Sequence, residues 1–255
     1  VDRAGIAELN FSSLEKKMKG KQVGLTPYIS VLDEGFSGFS TPKDLDFLFQ
    51  YINAFYTHPR YDTSVYELVI NETLEQLKMV KAAPMYRFFG EFLSAITQKD
   101  PYQTTMLSYT DEFVKSSDYA RAFQLYQQRF ANPADFTFFF VGNFDEAILN
   151  DLITTYIASL PTTPEREEFK GEVLKDFPAA QVDDDVYAGV EEQSWVGIAY
   201  NKEYPWTDKN NMIVDQIGEA LQIELVETIR EKMSGVYSPM LQMGAEKYPK
   251  SSFSL

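Results

Sequence analysis

Arg230 and Tyr237 stand on either side of a helix stop in the stretch Glu224 to Pro239, read E-L-V-E-T-I-R-E-K-M-S-G-V-Y-S-P. An arginine at a helix end followed by a tyrosine at the start of an extended segment can grip a peptide. The guanidinium offers a planar fork of donors to a backbone carbonyl, and the phenol offers a hydroxyl. Arg230 falls on the row Ile223, Val226, Arg230, beside the apolar stripe of the helix, so its head group has a direction to point in. A structural alternative stays open for both residues. A cation near a helix C-terminus is favourable with the dipole and can lay its stem over apolar surface, and a tyrosine in an extended segment is by default a core residue.

Other side chains could do chemistry and read as structural. His58 is the only histidine and there is no cysteine, which removes thiolate nucleophiles and cysteine zinc sites. A serine triad or a catalytic zinc needs positioned imidazoles. His58 sits in Y-T-H-P-R, where Pro59 ends a helical pattern, so its expected role is at a helix C-terminus. Glu72 and Glu75 lie on a helical stretch without a histidine and read as solvated. Val141-Gly142-Asn143-Phe144-Asp145 follows a strand-like run but lacks the glycine spacing and lysine of a phosphate loop. Asp183-Asp184-Asp185 lacks the ligand alternation and central glycine of a calcium loop.

These residues must be positioned by a sizeable fold, and 255 residues with 44% hydrophobic content can build one. Lys plus Arg number 23 against 38 Asp plus Glu, a formal net charge of -15 that repels nucleic acid and anionic membranes. No apolar run is long enough to span a bilayer. Val1 opens into polar sequence without a signal-peptide pattern, and a chain that starts without methionine reads as a processed or truncated piece.

Residues 22–31 and 35–40 read as an extended pair around Asp33-Glu34-Gly35. Ser40-Thr41-Pro42-Lys43-Asp44 then opens a helix carrying Leu45, Leu48, Phe49, Ile52, Phe55 and Tyr56. Helical patterns follow over 63–82, 84–98 and 109–130. Phe136 to Val141 is an unbroken apolar run that predicts a strand buried on both faces. Asp145 is expected to cap a helix reaching Pro161. The polar, proline-marked stretch 161–189 reads as a linker. Beyond it come a strand over 194–200 and a helix entered at Thr207 and Asp208. Ile213, Ile217, Leu221, Leu225, Ile229 and Met233 form its expected core-facing row, with Gly235 as left-handed cap. The domain reading is a first α+β repeat over 1–160 lacking its initial strands, a linker over 161–189, and over 190–255 the start of a second, truncated repeat: strand, long helix, strand.

Several segments in order resemble the pitrilysin or insulinase-type zinc peptidases, whose catalytic half carries an inverted H-x-x-E-H motif. They are G-K-Q-V-G-L-T-P-Y-I-S, E-G-F-S-G-F-S-T-P-K-D-L-D-F-L-F-Q, Y-T-H-P-R-Y-D, R-F-A-N-P-A-D-F-T-F-F-F-V-G-N-F-D, A-G-V-E-E-Q-S-W-V-G-I-A-Y and R-E-K-M-S-G-V-Y-S-P. The resemblance implies repeated α+β domains, each a mainly antiparallel sheet covered by helices on one side, in two halves that close over a peptide. It places this chain in the C-terminal, non-catalytic half of a long four-domain member of bacterial type. There Arg230 and Tyr237 would bind substrate, touching the peptide backbone or the oxyanion near the scissile bond.

No H-x-x-E-H occurs here, so the zinc would sit on the N-terminal half and none on this chain, which by itself would be inactive. Were the motif to lie upstream in the same domain, Glu72 would be the first residue to test as a distal ligand. The implied partners are that N-terminal half and a peptide substrate, with no nucleic acid and no membrane span, in a periplasmic or cell-envelope setting. The alternative reading is a non-catalytic relative serving as a structural or peptide-binding subunit.

Overall fold

The computed structural model describes residues 2–168, 174–190, 192–248 and 251–255. In chain order its elements are α1 (Phe11–Met18), β1 (Val23–Ile29), β2 (Glu34–Ser40), α2 (Leu45–Thr57), α3 (Thr63–Ala82), α4 (Pro84–Ile96), α5 (Asp111–Lys115) and α6 (Tyr119–Arg129). They continue with α7 (Glu146–Leu152), β3 (Asn201–Glu203), α8 (Asp208–Leu225), β4 (Gly244–Glu246) and β5 (Ser252–Ser254). The fold is α+β, rich in helix, with two small antiparallel sheets among the described residues. Contacts divide it into two compact units, one of residues 1–76 and 110–169 and the other of 77–109 and 170–255.

The first unit is built on a hairpin and one helix. β1 pairs antiparallel with β2, from Val23 opposite Ser40 to Ile29 opposite Glu34. The turn is closed by Asp33, whose carbonyl accepts from the Ser30 amide at 2.7 Å and whose carboxylate accepts from the Ser30 and Tyr28 hydroxyls. Val23 and Leu25 face inward. The helix entry is a 3-10 turn over Pro42–Asp44 in which Asp44 is buried. Its carboxylate accepts from the Gln22 amide and the Thr41 hydroxyl, both at 3.0 Å. The Gln22 amide bond leads in holding this carboxyl below its usual range. The hairpin end is thereby tied to α2, whose Leu48, Tyr51, Ile52 and Phe55 join Tyr126 and Phe130 of the α6 end in one aromatic-rich core. Phe36 meets Phe55, Tyr56 and Phe130 at ring separations of 5.5, 5.1 and 4.9 Å.

Three expectations for this unit need correction. The helical pattern over 109–130 is two helices, because Asp118 accepts from the Arg121 amide and starts α6 afresh after α5 has ended at Lys115. The run Phe136 to Val141 is covered on one face only: Phe136, Phe138 and Phe140 are half-buried, whereas Phe139 and Val141 are 85% and 98% exposed. No ladder partner pairs with it among the described residues. After α7, capped by Asp145 as expected, the winding loosens into a π-helical turn over Ile153–Ile157.

In the second unit, α4 presents Phe88 and Phe89 to Trp195, at ring separations of 6.4 and 6.0 Å. The expected strand over 194–200 forms no ladder along most of its length. Pairing begins at Tyr200, which exchanges amide bonds with Leu255, and β3 then pairs with β5 in the order β3-β5-β4. The stretch 161–189 carries no helix or strand among its described residues, and 169–173 lie outside them. Within the second unit its later part is pinned where the buried Asp100 carboxylate accepts from the Lys175 amide.

Candidate functional site

The candidate site is the end of α8 and the segment that turns back along it. Thr207 starts the helix by accepting from the Asn210 amide at 3.0 Å. Only Val214 and Gly218 of α8 are buried; Gly218 lets Met243 pack so close that a Cβ there would lie 3.1 Å from the Met243 Cβ. The predicted row at every fourth residue does not stay on that face, since Ile217, Leu221 and Met233 are 44%, 40% and 69% exposed. A helix turns once in about 3.6 residues, so a row of fours drifts by about 40° at each step and winds around the cylinder. The inward set is therefore short.

Past Leu225 the helix widens into a π-helical turn over Val226–Lys232 that contains Arg230. The Met233 amide reaches back to the Thr228 carbonyl at 3.1 Å and the Gly235 amide to the Ile229 carbonyl at 3.0 Å. The left-handed residue of this stop is Ser234, with φ 51°, and not Gly235 as expected. Gly235 instead supplies the amide that closes the last turn. A serine accepts this conformation less readily than glycine, and π-helical turns are frequent at functional sites.

Arg230 is exposed and donates its Nε to Glu231 at 2.8 Å, the only partner of its side chain among the described residues. Tyr237 is 89% exposed, which overturns the default of a core tyrosine. No strand begins at Tyr237; residues 234–243 are irregular. The segment is nonetheless anchored. Gln222, two turns before Arg230, donates Nε2 to the Pro239 carbonyl at 3.0 Å and accepts from the Leu241 amide at 2.6 Å. One amide side chain thus fastens both sides of Met240 to α8 and limits how far Tyr237 can travel. Sequence reasoning passed over Gln222; its place on the α8 face toward the returning chain, one turn after Gly218, was the available signal.

The remaining candidates have structural duties. His58 closes α2, its amide bonding to the Ala54 carbonyl and its Nδ1 lying 2.6 Å from the Thr57 hydroxyl. Glu72 takes two bonds from Arg3, at 2.7 and 3.3 Å, and this pairing holds its carboxyl below the usual range. Asp183, Asp184 and Asp185 are exposed. The donor set does not fit a zinc site: there is one imidazole and no thiol, and no group of three possible ligands lies together among the described residues. The second unit also has an open cleft of about 540 Å³ between α4 and the 99–108 segment, lined by Lys81, Arg87, Glu91 and Lys99 among others. Neither Arg230 nor Tyr237 borders it.

The profile described as "Peptidase M16 inactive domain" matches residues 120–254, a span that holds both Arg230 and Tyr237. The chain is 24% identical over 258 residues to a probable zinc protease, PqqL, of Escherichia coli, covering 98% of this chain and 26% of that protein. Its counterpart in Haemophilus influenzae is 22% identical over 240 residues, covering 93% and 25%. Among solved structures, the periplasmic protease PqqL from Escherichia coli superposes with a TM-score of 0.74 at 24% identity over 100% of this chain and 28% of that one. The ferredoxin protease FusC, as a mutant in complex with Arabidopsis ferredoxin, gives 0.68 at 13% identity over 99% and 28%. The α+β fold is thereby shared with these proteases, and the chain spans about a quarter of the length of the relatives it matches.

Proposed function

The chain belongs to the family of the peptidase M16 inactive domain, and from that premise we propose that it is the substrate-binding, non-catalytic C-terminal portion of a zinc-dependent metalloendopeptidase. In this reading the zinc is held by the N-terminal half, residues 1–160 and 190–255 are successive α+β repeats joined by 161–189, and the partner of the chain is that N-terminal half. The setting is periplasmic, as it is for the similar Escherichia coli protease.

The observation that carries the reading is that Arg230 and Tyr237 are both exposed on one anchored helix end, and neither is spent on the core. Arg230 keeps its two terminal nitrogens clear of any partner among the described residues, so the fork can take a peptide carbonyl or a developing oxyanion. The Tyr237 phenol donates a second bond from the returning segment. Donors fixed before the reaction lower the barrier where negative charge grows, because they need no reorganisation then. Gln222 contributes by limiting the travel of the Tyr237 segment.

The test is complementation. This chain, the N-terminal half and an equimolar mixture of the two are each assayed with zinc against a peptide library. Cleavage by the mixture alone supports the assignment. Cleavage by the N-terminal half at the rate of the mixture removes it.

A further inference from the structure

The open cleft of about 540 Å³ in the second unit is long, and its two ends are cationic. One wall is a single face of α4 and its C-terminal cap, on which Arg87, Gly90, Glu91, Ser94 and Thr97 follow at helical spacing. From Arg87 to Thr97 the helix rises about 15 Å, at about 1.5 Å per residue. The 103–108 segment forms the other wall. Gly90 lets it come close, since a Cβ there would lie 3.3 Å from the Leu107 carbonyl oxygen.

Lys99 marks the far end. Gln98 and Lys99 are both left-handed, with φ of 52° and 54°, a conformation that residues with a Cβ adopt at a cost. The turn is nonetheless held firmly. The Lys99 amide donates to the Ser94 carbonyl at 3.0 Å, Gln98 Nε2 to the Asp176 carbonyl at 2.7 Å, and Lys175 Nζ to the Gln98 carbonyl at 3.0 Å. The backbone of Lys99 is thus fixed at the mouth, while its ammonium has no partner among the described residues. Arg87 is alike at the near end. Glu91 lies four residues on, the spacing at which ion pairs form along a helix, yet the two side chains make no bond with each other or with any described residue.

In a chain with 38 acidic and 23 basic residues, a cleft lined by Lys81, Arg87 and Lys99 runs against the overall sign. The lining acid Asp100 is already spent on the Lys175 and Tyr102 amides and on Gln103. Two uncommitted cations about 15 Å apart do not suit a point anion, which can meet only one of them. An extended peptide advances about 3.3 Å per residue, so carboxylates four residues apart span about 13 Å and can meet both. Glu91, between the two, disfavours a third acid at the centre.

We propose that the cleft between α4 and the 99–108 segment binds an extended peptide segment bearing two carboxylates about four residues apart, one on Arg87 and one on Lys99. This site is separate from the end of α8, and the inference needs neither zinc nor a role for Arg230.

The experiment is fluorescence anisotropy with the 255-residue chain and a dye-labelled Asp-Ala-Ala-Ala-Asp peptide. Its Asn-Ala-Ala-Ala-Asn counterpart is expected to bind about tenfold more weakly or worse, and Arg87→Gln and Lys99→Gln each to weaken the acidic peptide about two- to fivefold. Glu91→Gln should tighten Asp-Ala-Asp-Ala-Asp more than the parent peptide, an effect that a merely structural role would not produce. Arg230→Ala should leave binding unchanged. Equal affinity for the two five-residue parent peptides overturns the proposal, as does binding indifferent to both Arg87→Gln and Lys99→Gln. Displacement of the label by inorganic phosphate as readily as by unlabelled peptide overturns it in favour of a small-anion site, and loss of binding in Arg230→Ala assigns the peptide to the end of α8 instead.

Discussion

Arg230 donates its Nε to the carboxylate of Glu231, its immediate neighbour, at 2.8 Å, with the two side chains 48% and 59% exposed. The bond holds the inner edge of the guanidinium and leaves the terminal fork open. An exposed pair of this kind contributes only about 0.2–1 kcal/mol. Glu231 therefore steers Arg230 without competing strongly for it. In the proposed two-half enzyme, Glu231→Gln is expected to lower KM by less than about fivefold and to leave kcat nearly unchanged. Steady-state kinetics at low and high salt check this, since the difference should shrink as salt screens the pair.

Gln222 is expected to matter without touching substrate. Gln222→Ala removes both bonds that fasten Pro239 and Leu241 to α8, so limited proteolysis and amide exchange across residues 236–241 should speed up while α8 itself is unaltered. A Gln222→Glu variant, which keeps the acceptor for Leu241 and loses the donor to Pro239, should fall between the two. Unchanged exchange in Gln222→Ala would mean that the segment is held by other contacts.

Asp100 sets an acid limit on the second unit. Its buried carboxylate accepts from the Lys175 amide, the Tyr102 amide at 2.9 Å and Gln103 Nε2 at 3.3 Å, and the Lys175 bond leads in holding its pKa below the ordinary value. A carboxyl with a depressed folded pKa contributes stability above its unfolded pKa, and that contribution is lost as pH falls through the folded value. Denaturation followed from neutral to acidic pH should show the native protein losing stability more steeply than Asp100→Asn. Amides just after Lys175 should exchange faster in the variant at neutral pH.

The aromatic core and the outward face of the 136–141 segment should respond very unequally to truncation. Phe55 is fully buried among Phe36, Tyr51 and the α6 end, and Phe55→Ala is expected to cost about 3–5 kcal/mol by urea unfolding. Phe139→Ala, on the exposed face, should stay within about 0.5 kcal/mol in the 255-residue chain.

Local signals in the sequence that coincide with tertiary demand were readable. The hairpin over 23–40, the proline-led entry to α2, the limits of α3 at Thr63 and Ala82, and the caps at Asp145 and Thr207 all lie where the residue types place them. What could not be read depends on partners and winding. Ser116-Ser117-Asp118 interrupts a continuous apolar period, and only the capping bond from Asp118 shows that the break wins. Phe136 to Val141 has an inner strand's composition, yet burial on its second face needs a neighbour that the described residues do not supply. The row from Ile213 to Met233 looks uniform when spaced by fours and is not, because the winding of α8 carries it away from Val214 and Gly218.

Arg230 and Tyr237 stand out by residue type and spacing, but their environment could not be read there. Exposure of Tyr237 could not be told from burial by residue type alone, and Ser234 in place of Gly235 at the left-handed position follows from the π-helical widening over Val226–Lys232.

The measurement that bears most directly on the central claim is kcat/KM of the proposed two-half enzyme carrying Arg230→Ala or Tyr237→Phe, with folding of each variant checked by circular dichroism. The account expects Arg230→Ala to lower kcat/KM about 10²–10³-fold, mostly through kcat, and Tyr237→Phe to lower it by about tenfold. Correctly folded variants that cleave peptide at the unsubstituted rate would contradict it.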